Sequence, residues 1–511
     1  MRDGRQASAE NAACVEAESF GKKREEKREM RLTDMGKGWL TLPTSARRID
    51  ATGIACDSRA VRPGDVFVAV SGEKQDGHQF ISDALRAGAV AVVGERPPGG
   101  APLAVPFIPV KDSRLALAKL CAAFYRHPSR DVSVTGVTGT KGKTTTAWIL
   151  AAVFQAAGRP AGLFGTVSNR IGEETLPSNN TTEGPIEMEG FLRKLADRGG
   201  THAIMEVSSH GIVQNRIAGI EFDCGIFTNL APEHLDYHGT MDRYLDAKAA
   251  FFTALGVDAV AVLPRDQEAA QVIARRTLAR VLWYGTGPRD GLDRVRNCEG
   301  RLEFAWRGTA IRSRLWGEHN LLNILAAVTA ADALGFDRDV ITRGIEDAAP
   351  PPGRMEEVPN DMGLKVFVDY AHTEGSLHTV LQSLRAITPG RIIALFGCGG
   401  DRDRQKRPRM ARTAERLADR VVITSDNPRT EDPEKILDEI STGFERPFQV
   451  AVVPERREAI SLAILMAKPG DTVLIAGKGH ETYQEIRGKR FPFDDRVEAR
   501  AALVKRASLG V

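Results

Sequence analysis

A chain of 511 residues with 42% hydrophobic and 27% charged residues has the balance of an ordinary globular protein of about two to four domains. Its net charge of +3 gives no reason to invoke nucleic acid or a membrane surface, and no apolar run is long enough to span a bilayer. The N-terminus lacks the apolar core of a signal peptide. The six cysteines are scattered without a CxxC pair, which argues against a disulfide framework or a zinc site and for a reducing cytoplasm.

Residues 1–35 contain KKREEKREMR and few large apolar groups, too little burial to offset ordering, and are expected to be a disordered tail. Residues 36–111 hold two strand-like runs, in DSRAVRPGDVFVAVSG and AVAVVGERPPGG, around a helix-like ISDALRAGA, which predicts a small α/β domain. From 112 to 350 strand and helix patterns alternate. VSVTGV, HAIMEV, DCGIFTNL and DAVAVL read as strands, TTTAWILAAVFQAAG and MDRYLDAKAAFFTALG as helices, and together they predict a parallel sheet with crossover helices. AAPPPGR at 348–354 reads as a linker. The alternation then restarts with KVFVDYA, RIIALFG, RVVITSD, FQVAVVP and TVLIAGKG, predicting a Rossmann-like open α/β domain over 351–511.

GVTGTKGKTTT, residues 136–146, lies where a strand gives way to a helix. There backbone N–H groups and the helix dipole favour an anion. The common phosphate-loop pattern places a glycine where Val137 stands, and Gly136 and Gly139 flank that position instead. Lys143 is placed to reach terminal phosphates and the Thr144 hydroxyl to ligate magnesium. Glu206 ends the HAIMEV strand, where open α/β sheets bind ligands, and is a second candidate magnesium ligand. His234 and His238 lie in the polar loop after the next strand, and Lys248 follows on a helix.

GTKGKTT, EVSSHG, FTNLAPEHLDYHG with Lys248 downstream, and WGEHNLLNILAA together resemble the Mur ligase family, over about residues 55–500. The resemblance implies a central ATPase-like domain between a substrate-binding N-terminal domain and an amino-acid-binding C-terminal domain. It implies ATP-dependent amide formation in peptidoglycan assembly, through an acyl phosphate that an amine attacks. By the same resemblance the phosphate loop has the family's spacing, and the lysine matching Lys248 is carbamylated so that it binds magnesium with Thr144, Glu206 and His234. Lys143, Lys248 and His234 are then the catalytic residues. ATP falls to Gly139, Thr140, Lys141, Gly142, Lys143, Thr144 and Thr145, to His319, Asn320 and Asn323, and to Arg354 and Asp369.

GCGGDRDRQKRP, SDNPRTEDP and AGKGHETYQ resemble the family member that adds the third peptide residue to UDP-N-acetylmuramoyl-L-alanyl-D-glutamate. The DNPR of Asp426, Asn427, Pro428 and Arg429 resembles the version using meso-diaminopimelate rather than L-lysine. The chemistry agrees, because an Arg fork can grip the extra carboxylate of diaminopimelate with two parallel hydrogen bonds. Arg402 and Arg429 are expected on the carboxylates, with Gly477 and Glu481 completing the pocket. Ser58, Glu73, Lys74 and Gln75 are expected at the uridine diphosphate end of the other substrate, and Asn180, Thr181, Thr182, Ser208, Gln214 and Arg216 along the rest. A monomer with no nucleic-acid or membrane partner is expected. Three departures stand out: Lys141 where the family often has Asn, Glu183 where it usually has Pro, and Glu374-Gly375 where it often has Pro-Asp. The alternatives are the lysine-adding version, a folylpolyglutamate synthetase, and a nucleotide-binding regulator without catalysis.

Overall fold

A computed structural model describes residues 28–72, 75–99, 103–176, 178–298 and 301–509. Residues 1–27 of the expected tail, and Glu73 and Lys74, lie outside the described residues. The fold is α/β, with three units in chain order, each built on its own sheet.

The first unit has four parallel strands in the order Gly53–Ala55, Asp65–Ala69, Ala91–Gly94, Phe107–Pro109. The two middle strands are buried throughout, which is why they read as unbroken apolar runs. The helix Ser113–Phe124 is capped by Asp112, whose carboxylate accepts the Leu115 N–H. It packs Leu117, Leu120, Cys121 and Phe124 into this unit's core, which therefore runs past the expected boundary at 111. The other end of the unit also corrects an expectation. Met30–Arg31 pairs antiparallel with Asp50–Ala51, and Leu32 and Met35 of the short helix Leu32–Met35 are buried in the same core. The segment 30–35 is therefore folded, because two apolar side chains among many charges suffice to tie it down.

The central sheet has six parallel strands in the order Ala161–Phe164, His202–Glu206, Ser133–Thr138, Cys224–Phe227, Val260–Pro264, Arg280–Tyr284. Its two faces carry separate cores. One includes the helices Lys143–Ala156 and Glu318–Ala333, the other the helices Pro185–Asp197 and Met241–Thr253. The expectation of parallel pairing throughout 112–350 fails in two places. Asn169–Ile171 and Glu174–Leu176 add an antiparallel hairpin to one edge, and Leu292–Cys298, Arg301–Trp306 and Thr309–Ser313 form a separate antiparallel sheet. In the latter, Leu302, Phe304 and Trp306 alternate with more exposed residues, the signature of a sheet buried on one face.

The third unit has five parallel strands in the order Lys365–Asp369, Thr472–Ala476, Ile392–Phe396, Arg420–Ile423, Val450–Val452, with Glu356–Glu357 antiparallel at one edge. Trp316 of the central unit meets Phe367 of the third, ring centroids 5.7 Å apart, so the two units share packing beside the linker. Among the described residues no helix is long and apolar enough to cross a membrane.

Candidate active site

The C-terminal ends of the strands Ser133–Thr138, His202–Glu206 and Cys224–Phe227 lie side by side, with Glu206 level with Val137 and Phe227 with Thr138. Three chemistry-bearing loops therefore leave one sheet edge together. The first is the phosphate loop. Gly139 (φ +148°) and Gly142 (φ +85°) hold conformations that favour glycine, and a Cβ at either would strike a side chain, Thr228 Oγ1 at 1.9 Å or Asn323 Oδ1 at 2.3 Å. Gly136 does not belong to this loop. It sits inside the strand, where a Cβ would lie 2.5 Å from Phe251 Cζ, so its glycine answers to packing and the flanking role expected of it is corrected.

Lys143 opens the helix Lys143–Ala156, and its ammonium donates to the carbonyls of Gly139 (2.9 Å) and Thr140 (3.1 Å). Thr144 donates its hydroxyl to Glu206 Oε2 at 2.8 Å. Glu206 also accepts the Thr166 N–H (2.8 Å) and hydroxyl (3.1 Å). Three donors thus offset the cost of burying this carboxylate. The adjacent hydroxyl and carboxylate oxygens are the donor types a small hard cation takes alongside phosphate oxygens, so the set fits magnesium. Among the described residues there is no cluster of three or more His, Cys, Asp or Glu suited to hold a metal alone.

His234 has φ 57° and precedes the short helix Leu235–His238. Its ring centroid is 5.0 Å from that of His210 and 6.3 Å from that of Tyr244, and burial with nearby lysines lowers its basicity. His238 turns away instead and shares a hydrogen bond with Ser209 Oγ at 2.9 Å. Lys248 is buried, with Nζ 4.4 Å from the Tyr244 ring centroid and no ion pair among the described residues. Burial, reinforced by the Lys143 charge, pushes its amine well below the ordinary lysine range.

A cavity of about 360 Å³ at the seam between the central and third units gathers most of the predicted nucleotide residues. Thr140 to Thr145, Glu206 and His234 line it together with His319, Asn320, Asn323, Arg354 and Asp369. Asn323 donates to Asn320 Oδ1 at 3.2 Å, and Asn320 donates to the Trp316 carbonyl at 2.9 Å. Burial takes His319 down to about 4, which leaves it neutral near neutral pH. Asp369 accepts the N–H groups of Met355 (2.8 Å) and Ala371 (2.7 Å). Arg354 lies over the Tyr370 ring, and its buried Nε has no hydrogen-bond partner among the described residues. Sequence reasoning missed Glu233, which lines the same cavity. Burial pushes its carboxyl up, but the surrounding histidines and lysines together hold it below the ordinary range. Its position inside PEHLDYH, next to His234, was the available signal.

The six residues expected along the rest of the UDP-linked substrate form one connected group. Arg216 donates to the Thr182 carbonyl (2.6 Å) and to Gln214 Oε1 (2.8 Å), while Thr182 Oγ1 bonds the Glu206 carbonyl (2.7 Å) and Ser208 Oγ (3.1 Å). Thr181 Oγ1 shares a hydrogen bond with Thr166 Oγ1 (3.1 Å), and the Asn180 amide donates to Glu183. Glu183, the unexpected residue here, is buried and accepts the N–H groups of Asn179 and Asn180, so it closes the loop itself. Ser58 and Gln75 belong to the first unit and make no side-chain hydrogen bond among the described residues.

In the third unit the DNPR residues follow the strand Arg420–Ile423, and Gly477 follows Thr472–Ala476. A Cβ on Gly477 would meet Asp426 Oδ2 at 2.5 Å. Asn427 donates to Glu481 Oε2 at 2.7 Å, and Lys478, a second residue the sequence reading missed, reaches both Asn427 Oδ1 (3.0 Å) and Glu481 Oε2 (3.1 Å). Burial and the Asp426 charge raise the Glu481 carboxyl. Arg429 donates to the Gly400 carbonyl at 2.7 Å, and both Arg429 and Arg402 flank Gly399. Beneath them, fully buried Arg407 pairs with Glu431 (2.9 Å) and Glu439 (2.7 Å) and joins the two arginine-bearing loops.

A strand, a glycine loop and a helix opening on a lysine, with a carboxylate on the neighbouring strand end, define a phosphate-loop protein whose site is completed by another unit. Family models agree along the chain: "Mur ligase family, catalytic domain" matches residues 50–125, "Mur ligase middle domain" residues 137–331, and "Mur ligase, glutamate ligase domain" residues 353–479. The UDP-N-acetylmuramoyl-L-alanyl-D-glutamate–2,6-diaminopimelate ligase of Geobacter metallireducens is 42% identical over 94% of this chain and 100% of its own. The ligase of the same name from Chlorobaculum tepidum is 43% identical over 87% of this chain and 91% of its own. A solved structure of such a ligase superposes with a TM-score of 0.65 at 32% identity, covering 94% of this chain and 100% of its own. The MurF ligase of Thermotoga maritima in complex with ADP shares the fold, with a TM-score of 0.61 at 23% identity over 90% of this chain and 98% of its own. The chain belongs to the Mur ligase family.

Proposed function

We propose that the chain is the ATP-dependent ligase that joins meso-2,6-diaminopimelate to the D-glutamate γ-carboxylate of UDP-N-acetylmuramoyl-L-alanyl-D-glutamate, in the cytoplasm, during peptidoglycan synthesis. The observation that carries this reading is the seam cavity, where Lys143, Glu206 and His234 of the central unit face Arg354 and Asp369 of the third. The names of the relatives and the DNPR pocket support the choice of amino acid.

In the first step the γ-carboxylate of the dipeptide attacks the γ-phosphate of ATP, and ADP leaves. Lys143 supplies positive charge where the phosphate oxygens gain negative charge. Thr144, Glu206, His234 and carbamylated Lys248 would hold magnesium, which offsets phosphate charge when bound. A neutral amine is the form that reacts with carbon dioxide, and burial shifts Lys248 toward that form. Arg354, with its unpartnered Nε, is suited to an anion or a ribose oxygen. In the second step the diaminopimelate amine, oriented by Glu481 and Asn427 and by Arg402 and Arg429 on its carboxylates, attacks the acyl phosphate. The tetrahedral intermediate loses a proton and expels phosphate, leaving the amide. Purified protein should therefore release phosphate only when ATP, the UDP-linked dipeptide and the amino acid are all present. Release with ATP alone, at the full rate, would sink the reading.

A further inference from the structure

The Gly-Lys-Gly turn at 477–479 follows the strand Thr472–Ala476 and carries a lysine whose side chain is fully buried. Both glycines hold positive φ and pack against other segments. A Cβ on Gly477 would meet Asp426 Oδ2 at 2.5 Å, and one on Gly479 the Gly353 carbonyl at 2.7 Å. From this fixed turn the Lys478 ammonium donates to Asn427 Oδ1 (3.0 Å) and Glu481 Oε2 (3.1 Å), 5.6 Å from the Tyr483 ring centroid. Asn427 closes the triangle by donating to the same Glu481 oxygen at 2.7 Å, while the Glu485 N–H donates to Asn427 Oδ1 at 2.9 Å. Donors on one side and an acceptor on the other fix which way the Asn427 amide faces. Glu481 Oε2 carries both of its bonds, and Oε1 carries none among the described residues.

A fully buried ammonium is costly unless its charge is matched. Among the described residues Lys478 is the one cation within ion-pair distance of Glu481. Arg456 also acts on Glu481 through its charge, but Asp495 holds its guanidinium at 2.7 Å. Burial, and then the Asp426 charge, raise the Glu481 carboxyl, while the Lys478 charge and the bonds from Asn427 and Lys478 oppose them. Burial pushes Asp426 up too, but Lys478, Arg456 and Lys406 together hold it below the ordinary carboxylate range, so its negative charge persists beside Glu481. Tyr370 and Tyr483 face the same carboxyl, and burial raises both phenols, which leaves them neutral near neutral pH. The balance at Glu481 therefore turns on Lys478. Without that cation the protonated form gains, and a protonated carboxyl offers an ammonium ion no charge. Lys478 has no exposed side-chain surface of its own, so it reaches a ligand through Glu481, whose side chain is 17% exposed.

We propose that Lys478 is a positioning residue of the amino-acid site: it ties Glu481 to Asn427 and keeps the Glu481 carboxylate charged, with Oε1 free for an ammonium group of the incoming amino acid. This rests on the reading of the chain as a diaminopimelate-adding ligase. The test is kcat and KM for diaminopimelate, ATP and the UDP-linked dipeptide from about pH 6.5 to 9. Lys478→Met should raise the diaminopimelate KM on the order of tenfold at the acidic end, the size of one lost charge-assisted contact, and leave the ATP KM within about twofold. The loss should shrink as pH rises, because Glu481 then ionises without the neighbouring cation. In a Glu481→Gln chain nothing titrates at 481, so adding Lys478→Met should change the diaminopimelate KM by less than about twofold at any pH. Lys478→Gln, which removes the charge but keeps a donor, is read in the same way if Lys478→Met fails to fold. A diaminopimelate KM that stays at the wild-type value, a loss that does not vary with pH, an equal rise in the ATP KM, or losses that add in the double variant would overturn the assignment. Any of those results with a wild-type chain that ligates diaminopimelate defeats this inference alone. A wild-type chain that makes no amide with diaminopimelate defeats the underlying reading and the inference with it.

Discussion

Arg429→Ala probes amino-acid choice. Arg429 sits at φ 52°, and its main chain is tied to the neighbouring hairpin by the N–H to the Glu485 carbonyl (3.0 Å) and by its own carbonyl to the Arg487 N–H (2.6 Å). Alanine carries the same Cβ, so the substitution adds no new backbone strain at this position. What it removes is a guanidinium with 21% side-chain exposure that, among the described residues, donates one hydrogen bond, to Gly400, and lies 3.8 Å from Glu485 Oε2, which leaves several of its donors for a ligand. A hydrogen bond to a charged group contributes about 1.5–3 kcal/mol, which is roughly a 10- to 150-fold loss in kcat/KM for diaminopimelate. L-lysine has no distal carboxylate to lose, so its kcat/KM should move less than about threefold. The assay is kcat/KM for the two amino acids side by side. A slackened Gly400 loop would harm both substrates alike, so equal losses, or an unchanged preference for diaminopimelate, would refute the assignment.

Three further outcomes follow from buried charges. Because burial drives the Lys248 amine well below its ordinary value of 10.5, the folded chain gives up this proton at a lower pH than the unfolded chain does. In buffer free of carbon dioxide, stability should rise with pH toward 10.5, and Lys248→Met should be more stable than wild type at neutral pH while losing ligase activity; denaturation across pH checks both. Arg456 and Asp495 form a bidentate pair with both side chains fully buried, and Arg456 also holds the Ser425 and Ala476 carbonyls that precede the amino-acid loops. Arg456→Met should cost about 3–5 kcal/mol in denaturant unfolding, and Arg456→Met with Asp495→Leu should recover most of it. Glu189 is buried without a hydrogen-bond partner among the described residues, and burial raises its carboxyl to about 8. The folded chain keeps that proton after the unfolded chain has lost it, so stability should fall as pH rises from about 4.5 to about 8. Glu189→Gln should flatten that slope and gain on the order of 3 kcal/mol at the upper end, measured by urea unfolding at several pH values.

The parallel sheets were legible because their strands are buried on both faces and read as continuous apolar runs, as in Ile392–Phe396. The hairpin at Asn169–Leu176 and the antiparallel sheet at 292–313 were not, because their strands are short or half-exposed and mix charges into the pattern. The residues expected at the nucleotide were picked out by motifs, and the fold gathers all of them except Gly139 around one cavity. Gly136 was misread because sequence spacing does not separate a loop glycine from one that makes way for Phe251. Glu233 and Lys478 escaped notice because each stands beside a residue already given a role, and only packing reveals that both neighbours point into the site. Leu32 and Met35 show the same limit at the chain's start, where composition favours disorder but two contacts decide.

The central claim is most directly tested by mass spectrometry of the product formed from ATP, magnesium, UDP-N-acetylmuramoyl-L-alanyl-D-glutamate and an equimolar mixture of meso-diaminopimelate and L-lysine. The account predicts the diaminopimelate-extended nucleotide as the dominant product, with one ADP formed per amide. A lysine-extended product, or ADP formed without any amide, would contradict it.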